Sequence, residues 1–310
     1  MIVDFASSGY ALGEEEILTE GLLSVSGRDV KRTLEKTGFQ RLYRTQRQPE
    51  NFFENFLVEN LRVNAGETVI LVNQSVPASI PGLAPRVFAR LPVISGLNIV
   101  ELSDGCTGFV RALVLADSLI AANSASAVTI ICGEVYSKYI SPESSSAPIF
   151  SDAVSTLRLV EGVGFRVKKI AVRNSFDMHE AISLQETPTG TSFQMEGPSV
   201  LSWVVKNTRE IASELQPFRA AGPSSSETWF IHQASKVVAE QVGDILGISS
   251  SEAFWAGEFG NTSSSSIPIG LIRRAEAFEN SQTVGLLGFG IGLSMVGVVL
   301  EKQDLATLES

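Results

Sequence analysis

Cysteine and histidine are scarce in this chain of 310 residues, which contains two of each. Two cysteines cannot form a disulfide framework, and Cys106 and Cys132 have no companions at the spacing of metal ligands. The sequence therefore predicts neither a disulfide-stapled secreted fold nor a metal site. Low cysteine usage fits a reducing cytoplasm, which is the location that we predict.

Long apolar runs and an excess of positive charge are also missing. No apolar run reaches the ~20 residues that span a bilayer, and the N-terminal segment MIVDFASSGY lacks the basic start and apolar core of a signal peptide. A net charge of −10 disfavours nucleic acid as a partner. With 44% hydrophobic and 19% charged residues, the composition is that of a globular protein with a sizeable core, in one large domain or two fused halves.

Positive charge is concentrated in one segment of this acidic chain. Residues 28–47 contain seven cations and only two acids. Two interpretations remain open at this point. The segment is either a solvated helix and loop, or a surface that receives a phosphate or an acidic partner protein.

Strand and helix patterns alternate along the chain, which favours a layered α/β fold. The predicted elements with the clearest patterns are strands at 68–76, 97–103 and 127–136 and helices at 107–123, 199–215 and 267–278. Cys106 and Asn261 are 155 residues apart, half the length of the chain, and each lies in a turn before a helix. The spacing predicts a duplicated architecture that brings the starts of these two helices together.

Cys106 lies at the junction of a predicted strand and a predicted helix. The helix N-terminus carries about half a positive charge, which stabilises a thiolate and any negative charge that develops beside it. Gly108 leaves room for another group to approach the sulfur. The alternative is a small residue buried at a tight junction. Cys132, inside a predicted strand, is interpreted as structural.

His232 and Asn261 lie at comparable junctions, in the segments FIHQ and GNTSSSS. His232 follows an apolar strand and is suited to move or stabilise a proton near neutral pH, although a structural histidine is the alternative. Asn261 either caps the next helix or donates its side-chain NH2 to a developing oxyanion. His179 has no such setting and is expected at the surface.

A glycine-rich turn, LLGFGIGLS, separates two predicted strands near the C-terminus. It is either a tight hairpin or a device that aims the backbone N–H of Ile291 at a reacting carbonyl oxygen.

Taken together, DGCTGFVRALVLAD, FIHQASKVV, GEFGNTSSSSIPIGL and LLGFGIGLS occur in the order and spacing of one family. The chain resembles the β-ketoacyl-acyl-carrier-protein synthase III family of the thiolase superfamily along nearly its whole length. The resemblance implies a five-layered αβαβα fold made of two similar halves, here residues 1–165 with the cysteine and residues 166–310 with the histidine and asparagine. It also implies a dimer, which is usually a homodimer in this family.

The same resemblance implies roles for particular residues. Cys106, His232 and Asn261 match the family's catalytic triad, in which the cysteine carries an acyl group and the other two stabilise the oxygen of a malonyl thioester as CO2 leaves. The N–H groups of Cys106 and Ile291 match the oxyanion hole. Phe289 matches a wall residue that keeps the site dry. The implied substrates are acyl and malonyl thioesters of acyl carrier protein or coenzyme A, with no permanently bound cofactor and no metal.

The entrance departs from the family pattern. Arg32 and Lys36 stand where the family often has the tryptophan and arginine that grip coenzyme A, and Val237 stands where a further arginine is expected. The family's Phe-Gly-Asp-Gly-Ala is FSDAV here, and serines follow Asn261 in place of apolar small residues. These departures predict a specialised homologue in fatty acid or polyketide biosynthesis, with donors carried on an acyl carrier protein that contacts Arg32 and Lys36.

Two other functions remain possible within this fold. One is an acyltransferase that moves the acyl group from Cys106 to a non-malonyl acceptor. The other is a non-catalytic subunit that pairs with an active homologue. A thiolase is disfavoured because thiolases use a second cysteine, whereas Cys132 lies inside a predicted strand.

Overall fold

A computed structural model of the chain describes residues 1–25, 28–92, 95–140, 144, 146–187, 190–219 and 226–303. The strands in this part of the chain are β1 (Ile2–Leu12), β2 (Glu15–Leu18), β3 (Arg41–Arg44), β4 (Thr68–Val72), β5 (Asn98–Leu102), β6 (Ala127–Glu134), β7 (Ala153–Val160), β8 (Phe165–Asn174), β9 (Ile182–Thr187), β10 (Gly190–Met195), β11 (Glu227–Ile231), β12 (Thr283–Gly290) and β13 (Ser294–Lys302). The helices are α1 (Thr19–Val25), α2 (Arg28–Thr37), α3 (Pro49–Asn60), α4 (Leu83–Phe88), α5 (Gly108–Ala121), α6 (Gly197–Leu215), α7 (Lys236–Leu246), α8 (Ser250–Ala253), α9 (Ser266–Arg273) and α10 (Ala275–Glu279).

Two mixed sheets form the frame of the molecule. The first has the order β1-β7-β6-β4-β5 and the second the order β11-β12-β13-β8. Strands β8, β13, β12 and β11 repeat the order and the relative directions of β1, β7, β6 and β4, with two antiparallel pairings followed by a parallel one. The two halves are therefore similar, as the spacing of Cys106 and Asn261 predicted. A boundary after residue 165 stays a prediction.

Three apolar cores separate five layers. Helices α5 and α9 pack between the two sheets, α3 and α4 cover the outer face of the first sheet, and α6 and α7 cover the second. Strands β4 and β12 are buried along their whole length because helices cover both of their faces, which is why they read as continuous apolar runs. This is the αβαβα arrangement that the sequence resemblance implied.

The helix predicted over 267–278 is wrong as a single element. Helix α9 ends at Arg273 and α10 begins at Ala275, because Arg274 between them has φ −120° and ψ 36°, outside the helical region. The Arg274 guanidinium then lies 5.1 Å from the centre of the Phe230 ring. Helix α7, by contrast, ends as predicted at Gly247, whose φ of 74° favours glycine.

No helix within the described ranges is both long and apolar enough to cross a membrane.

Candidate active site

Cys106 lies in the turn between β5 and α5, at the inner layer of the molecule. The turn begins after Leu102, and α5 starts at Gly108. A Cβ atom on Gly108 would lie 2.3 Å from Cγ1 of Val72, so this glycine lets the helix pack against β4. The expectation that Gly108 makes room at the sulfur is therefore wrong. Cys106 itself is 8% exposed.

The glycine that approaches the sulfur comes from the other half of the chain. A Cβ atom on Gly290 would lie 2.9 Å from the Cys106 sulfur. One on Gly288 would lie 2.7 Å from the carbonyl oxygen of Cys106. The end of β12 can therefore approach Cys106 this closely only because it lacks side chains at these two positions.

Two backbone N–H groups flank this contact. Cys106 and Ile291 both lie outside helices and strands. Among the described residues, the N–H of neither donates to a backbone carbonyl. Within the described part of the chain, the backbone of neither turn therefore uses these two N–H groups.

His232 is the first residue after β11, and its side chain is fully enclosed. Its backbone N–H donates to the carbonyl of Leu287 at 2.9 Å, and its ring meets the Phe289 ring edge-on at 5.3 Å between centres. The residue is 1% exposed, and Nδ1 has no hydrogen-bond partner within the described part of the chain. Burial lowers the pKa of His232 to about 3, so the imidazole is neutral at physiological pH.

Gln233 fixes the turn that carries His232. Its Nε2 donates to the carbonyls of Ile231 at 3.0 Å and Ala253 at 2.8 Å. Its Oε1 accepts from the N–H groups of Trp255 at 3.0 Å and Ala256 at 3.3 Å. The carboxamide thus uses its whole hydrogen-bonding capacity to join the end of β11 to the α8 segment. The FIHQ motif contained this residue, but nothing local in the sequence identified its partners.

Asn261 is held by its backbone and by its side-chain oxygen. Its N–H donates to the carbonyl of Ile149 at 3.0 Å, and its carbonyl accepts from the N–H of Ser151 at 2.9 Å. Its Oδ1 accepts from the N–H of Ser263 at 2.8 Å. This bond fixes the rotation of the amide, and Nδ2 donates to no residue that the structure describes.

Ser263 brings the second half of the chain into contact with Cys106. Its Oγ lies 3.4 Å from the Cys106 sulfur. Its φ of 49° is uncommon for a residue other than glycine, and such strain is often stored at functional sites. The sequence showed only a run of serines; the contact between residues 106 and 263 is long-range and could not be read from it.

Burial dominates the electrostatics of the thiol. It raises the pKa of Cys106 to about 12, and the carboxylates of Glu134 and Asp104 act in the same direction. The hydrogen bond from Ser263 opposes this shift but does not overcome it. The resting sulfur is therefore a neutral thiol, and the thiolate that we expected at the helix N-terminus is not the resting form.

One cavity of about 510 Å³ joins the predicted site residues. Cys106, His232, Asn261, Phe289 and Ile291 all line it. Much of the remaining wall is apolar and comes from β9, β10, α6 and the segment before β7, as in Phe150, Ile182, Phe193, Leu201 and Val204. Three turns that are distant in sequence therefore open into the same space.

The mouth of the cavity lies between α2 and α7. Lys36 lines the cavity and is exposed, and Val237 faces it from the start of α7. Arg32 is exposed on α2 but does not line the cavity. Of the three predicted entrance positions, Lys36 and Val237 are thus at the opening, and Arg32 is one helical turn before Lys36.

The basic segment 28–47 divides into two parts. Arg41 pairs with Glu16 at 2.9 Å and Glu258 at 2.8 Å, and Arg47 pairs with Glu14 at 3.5 Å. Three cations of α2 form no salt bridge with any residue that the structure describes: Lys31, Arg32 and Lys36. The side chain of Arg28 lies outside the described residues. Arg44 on β3 also forms no salt bridge with a described residue and donates to the carbonyl of Ala147 at 3.4 Å. The cations without an acidic partner are thus concentrated on α2.

Comparisons with known proteins agree with this architecture. The chain matches the family model for 3-oxoacyl-[acyl-carrier-protein] synthase III over residues 100–173 and the model for its C-terminal part over residues 220–302. It is 26% identical over 249 residues to β-ketoacyl-[acyl-carrier-protein] synthase III 4 of Streptomyces coelicolor, covering 76% of this chain and 75% of that protein.

Solved structures show the same fold. The synthase III of Thermus thermophilus superposes with a TM-score of 0.80 at 21% identity, covering 96% of this chain and 98% of that one. The priming β-ketosynthase of the R1128 polyketide pathway superposes with a TM-score of 0.79 at 19% identity, covering 96% and 95%.

The fold is thus thiolase-like, five-layered and built from two similar halves. The chain belongs to the β-ketoacyl-acyl-carrier-protein synthase III family, whose members are condensing acyltransferases of fatty acid and polyketide biosynthesis.

Proposed function

We propose that Cys106, His232 and Asn261 catalyse the condensation of an acyl thioester with a malonyl thioester. The observation that carries this proposal is their convergence: three turns from different parts of the chain place these side chains on one enclosed cavity. The glycine-rich end of β12, at 288–290, lies close to Cys106. The roles of the individual residues follow from their surroundings.

In the first step, the acyl group moves to the enzyme. The sulfur of Cys106 attacks the thioester carbonyl, and its proton passes to the neutral imidazole of His232. The N–H groups of Cys106 and Ile291 stabilise the negative oxygen of the tetrahedral intermediate. The carbon–sulfur bond to the carrier then breaks, and the leaving thiolate takes the proton from His232.

In the second step, the malonyl thioester loses CO2. The bond to the carboxyl carbon breaks, and its electron pair forms an enolate whose oxygen accepts hydrogen bonds from the imidazole and from Asn261 Nδ2. The apolar cavity wall favours loss of the charged carboxylate. The carbanion attacks the acyl carbonyl on Cys106, and the cysteine leaves as a thiolate that is reprotonated. Phe289, packed on His232, keeps water from the carbanion.

We propose that the donors arrive on the phosphopantetheine arm of an acyl carrier protein, with coenzyme A thioesters as the alternative. Lys36, which lines the cavity, and Lys31 and Arg32 on the same helix form no salt bridge with a described residue and support this partner, since carrier proteins are acidic. No resident cofactor is needed for either step. We also propose that the enzyme acts in the cytoplasm. We further propose that it acts as a homo- or heterodimer, because β5 is the edge strand of the first sheet and exposes Asn98 and Ile99.

Intact-mass spectrometry tests the proposal. Incubation with a series of acyl thioesters should add one acyl mass to the wild-type protein and to Cys132→Ala, and none to Cys106→Ala. Addition of a malonyl donor should then release CO2 and discharge the adduct as a β-ketoacyl thioester. An adduct that is discharged only to non-malonyl acceptors would indicate an acyltransferase, and no adduct with any donor would indicate a non-catalytic subunit.

A further inference from the structure

A polar bridge outside the cavity joins the two turns that carry the proposed oxyanion donors. Nε of Arg111, on the second turn of α5, lies 2.9 Å from Oδ2 of Asp104. Nη2 of the same arginine donates to Oγ of Ser294 at 2.7 Å. Asp104 belongs to the Cys106 turn, and Ser294 is the first residue of β13, directly after the Ile291 turn. One guanidinium therefore spans both turns.

Each end of the bridge is anchored further. Oδ1 of Asp104 accepts from Oγ1 of Thr107 at 2.8 Å, which fixes the residue that follows Cys106. Oγ of Ser294 donates to Oδ1 of Asn174 at the end of β8, at 2.9 Å. The Ile291 turn is tied to the same place through its backbone, since the N–H of Ser175 donates to the carbonyl of Leu293 at 2.9 Å.

The bridge complements the steric contact between the turns. A Cβ atom on Gly290 would lie 2.9 Å from the Cys106 sulfur, so little space remains for the two segments to come nearer to each other. Van der Waals contact does not prevent them from separating. A planar guanidinium that donates to both turns does prevent them from separating, because its donors have a fixed geometry.

We propose that Arg111, with Asp104 and Ser294, is a positioning device that sets the separation of the Cys106 and Ile291 N–H groups. The inference rests on the proposed function, since it assumes that these groups stabilise one oxyanion. Preorganised donors lose effect steeply with displacement: a misplacement of about 1 Å costs about 10²-fold in rate. The side chains of Arg111 and Asp104 are 39% and 23% exposed, and exposed ion pairs contribute little to stability. Replacement of Arg111 should therefore lower the rate of acyl-enzyme formation much more than the stability of the protein.

The test compares Arg111→Gln with Arg166→Gln. Arg166, on β8, is 37% exposed and pairs at 3.0 Å with Asp117 of α5, so it is an arginine of similar exposure whose ion pair involves neither turn. Its partner is more buried than Asp104, at 8% against 23%. Arg111→Gln should form the acyl-enzyme about 10²-fold more slowly at saturating donor, with KM little changed and the melting temperature within a few degrees of wild type. Ser294→Ala, which keeps the ion pair, should lose about tenfold. Arg166→Gln should match the wild type.

Alkylation of Cys106 by iodoacetamide, which needs no oxyanion donor, separates positioning from damage to the thiol. It should proceed equally fast in wild type, Arg111→Gln and Ser294→Ala. Acylation rates within threefold of wild type in both variants would overturn the inference, as would alkylation reduced as much as acylation. A wild-type protein that forms no acyl-enzyme would instead refute the proposed function itself.

Discussion

At the scale of single residues, the proposed site combines a neutral thiol with a neutral imidazole. Burial produces both states: it raises the pKa of Cys106 to about 12 and lowers that of His232 to about 3. An ion pair between them would be costly in this environment. The charge separation is therefore deferred until substrate binds and the oxyanion donors can share the negative charge.

Alkylation kinetics should reveal the buried thiol. Because the thiolate is the nucleophile and the pKa of Cys106 is about 12, the rate of reaction with iodoacetamide in the free enzyme should rise about tenfold per pH unit from pH 6 to pH 9. His232 stays neutral over this range and should add no inflection. A plateau of the rate below pH 8 would show that the resting cysteine is a thiolate instead.

Asn261→Asp separates the two chemical steps. The carboxylate keeps the oxygen that accepts from the N–H of Ser263 but removes the Nδ2 donor. Loss of one oxyanion donor costs about 10²–10³-fold, so CO2 release from a malonyl donor should fall by that factor. Formation of the acyl adduct on Cys106 should fall much less. Equal loss in both steps would contradict the role assigned to Asn261.

The sequence predicted the turns but not the contacts among their side chains. Cys106, His232 and Asn261 are recognisable because each stands at a strand or turn junction before a helix. Ser263 and Gln233 act through partners that are distant in sequence or on another element, and no local pattern encodes such a contact. The pKa of Cys106 was likewise inaccessible, since it depends on how completely the fold excludes water.

At the scale of elements, the proposed route of the donors to the cavity passes helix α2. Lys36 lines the mouth and Arg32 lies on the same helix, whereas Arg41 on β3 is already paired with two acids. These positions carry equal formal charge but differ in the field that they present to an approaching partner.

Charge removal on α2 should therefore weaken binding of a carrier protein. Arg32→Ala combined with Lys36→Ala should raise KM for an acyl-carrier donor about tenfold at low salt, with kcat little changed and the effect shrinking as salt screens the charges. Arg41→Ala serves as the control from the same basic segment and should have a small effect. Equal effects of the two changes, or none from the first, would argue against carrier binding at α2.

Strand and helix patterns were informative wherever burial was strong. The starts of β4, β6 and β7 and the end of α7 lie where the sequence placed them. The β2–β3 and β9–β10 pairings were missed because these short strands are partly exposed and lack a continuous apolar run. Helices α9 and α10 were merged because residues on both sides of Arg274 continue the same helical pattern.

At the scale of the whole molecule, a buried ion pair links two interior strands of the first sheet, β7 and β4, across β6. Arg158 on β7 donates to both carboxylate oxygens of Glu67, at 2.7 and 2.6 Å, just before β4 begins. Both residues are less than a tenth exposed. These bonds lower the pKa of Glu67 to about 2.

Stability should consequently fall in acid. A carboxyl group whose pKa is lowered by folding stabilises the native state above its unfolded pKa of about 4.5, and this stabilisation is lost as pH falls from about 4.5 towards 2. Glu67→Gln leaves Arg158 with only the more distant Asp4, 3.8 Å from its Nε, and should cost about 3 kcal/mol at pH 7, measured by urea unfolding. The variant should also lose less stability than wild type between pH 5 and pH 3. A parallel decline in both proteins would contradict this account.

The repeat of strand order in the two halves explains why residues half a chain apart meet. Because both sheets are built alike and share the helical layer of α5 and α9, the turns before these helices open towards the same interior space. The spacing of Cys106 and Asn261 predicted that these two turns come together. It did not indicate how the second half closes over the sulfur with Gly290 and Ser263.

A crystal structure of the Cys106 acyl-enzyme measures the central claim most directly. We predict an acyl carbonyl oxygen within about 2.7–3.1 Å of the backbone nitrogens of both Cys106 and Ile291, with the imidazole of His232 and Nδ2 of Asn261 facing the neighbouring space where the malonyl oxygen binds. An acyl group on another residue, or a carbonyl oxygen that contacts neither N–H group, would contradict the account.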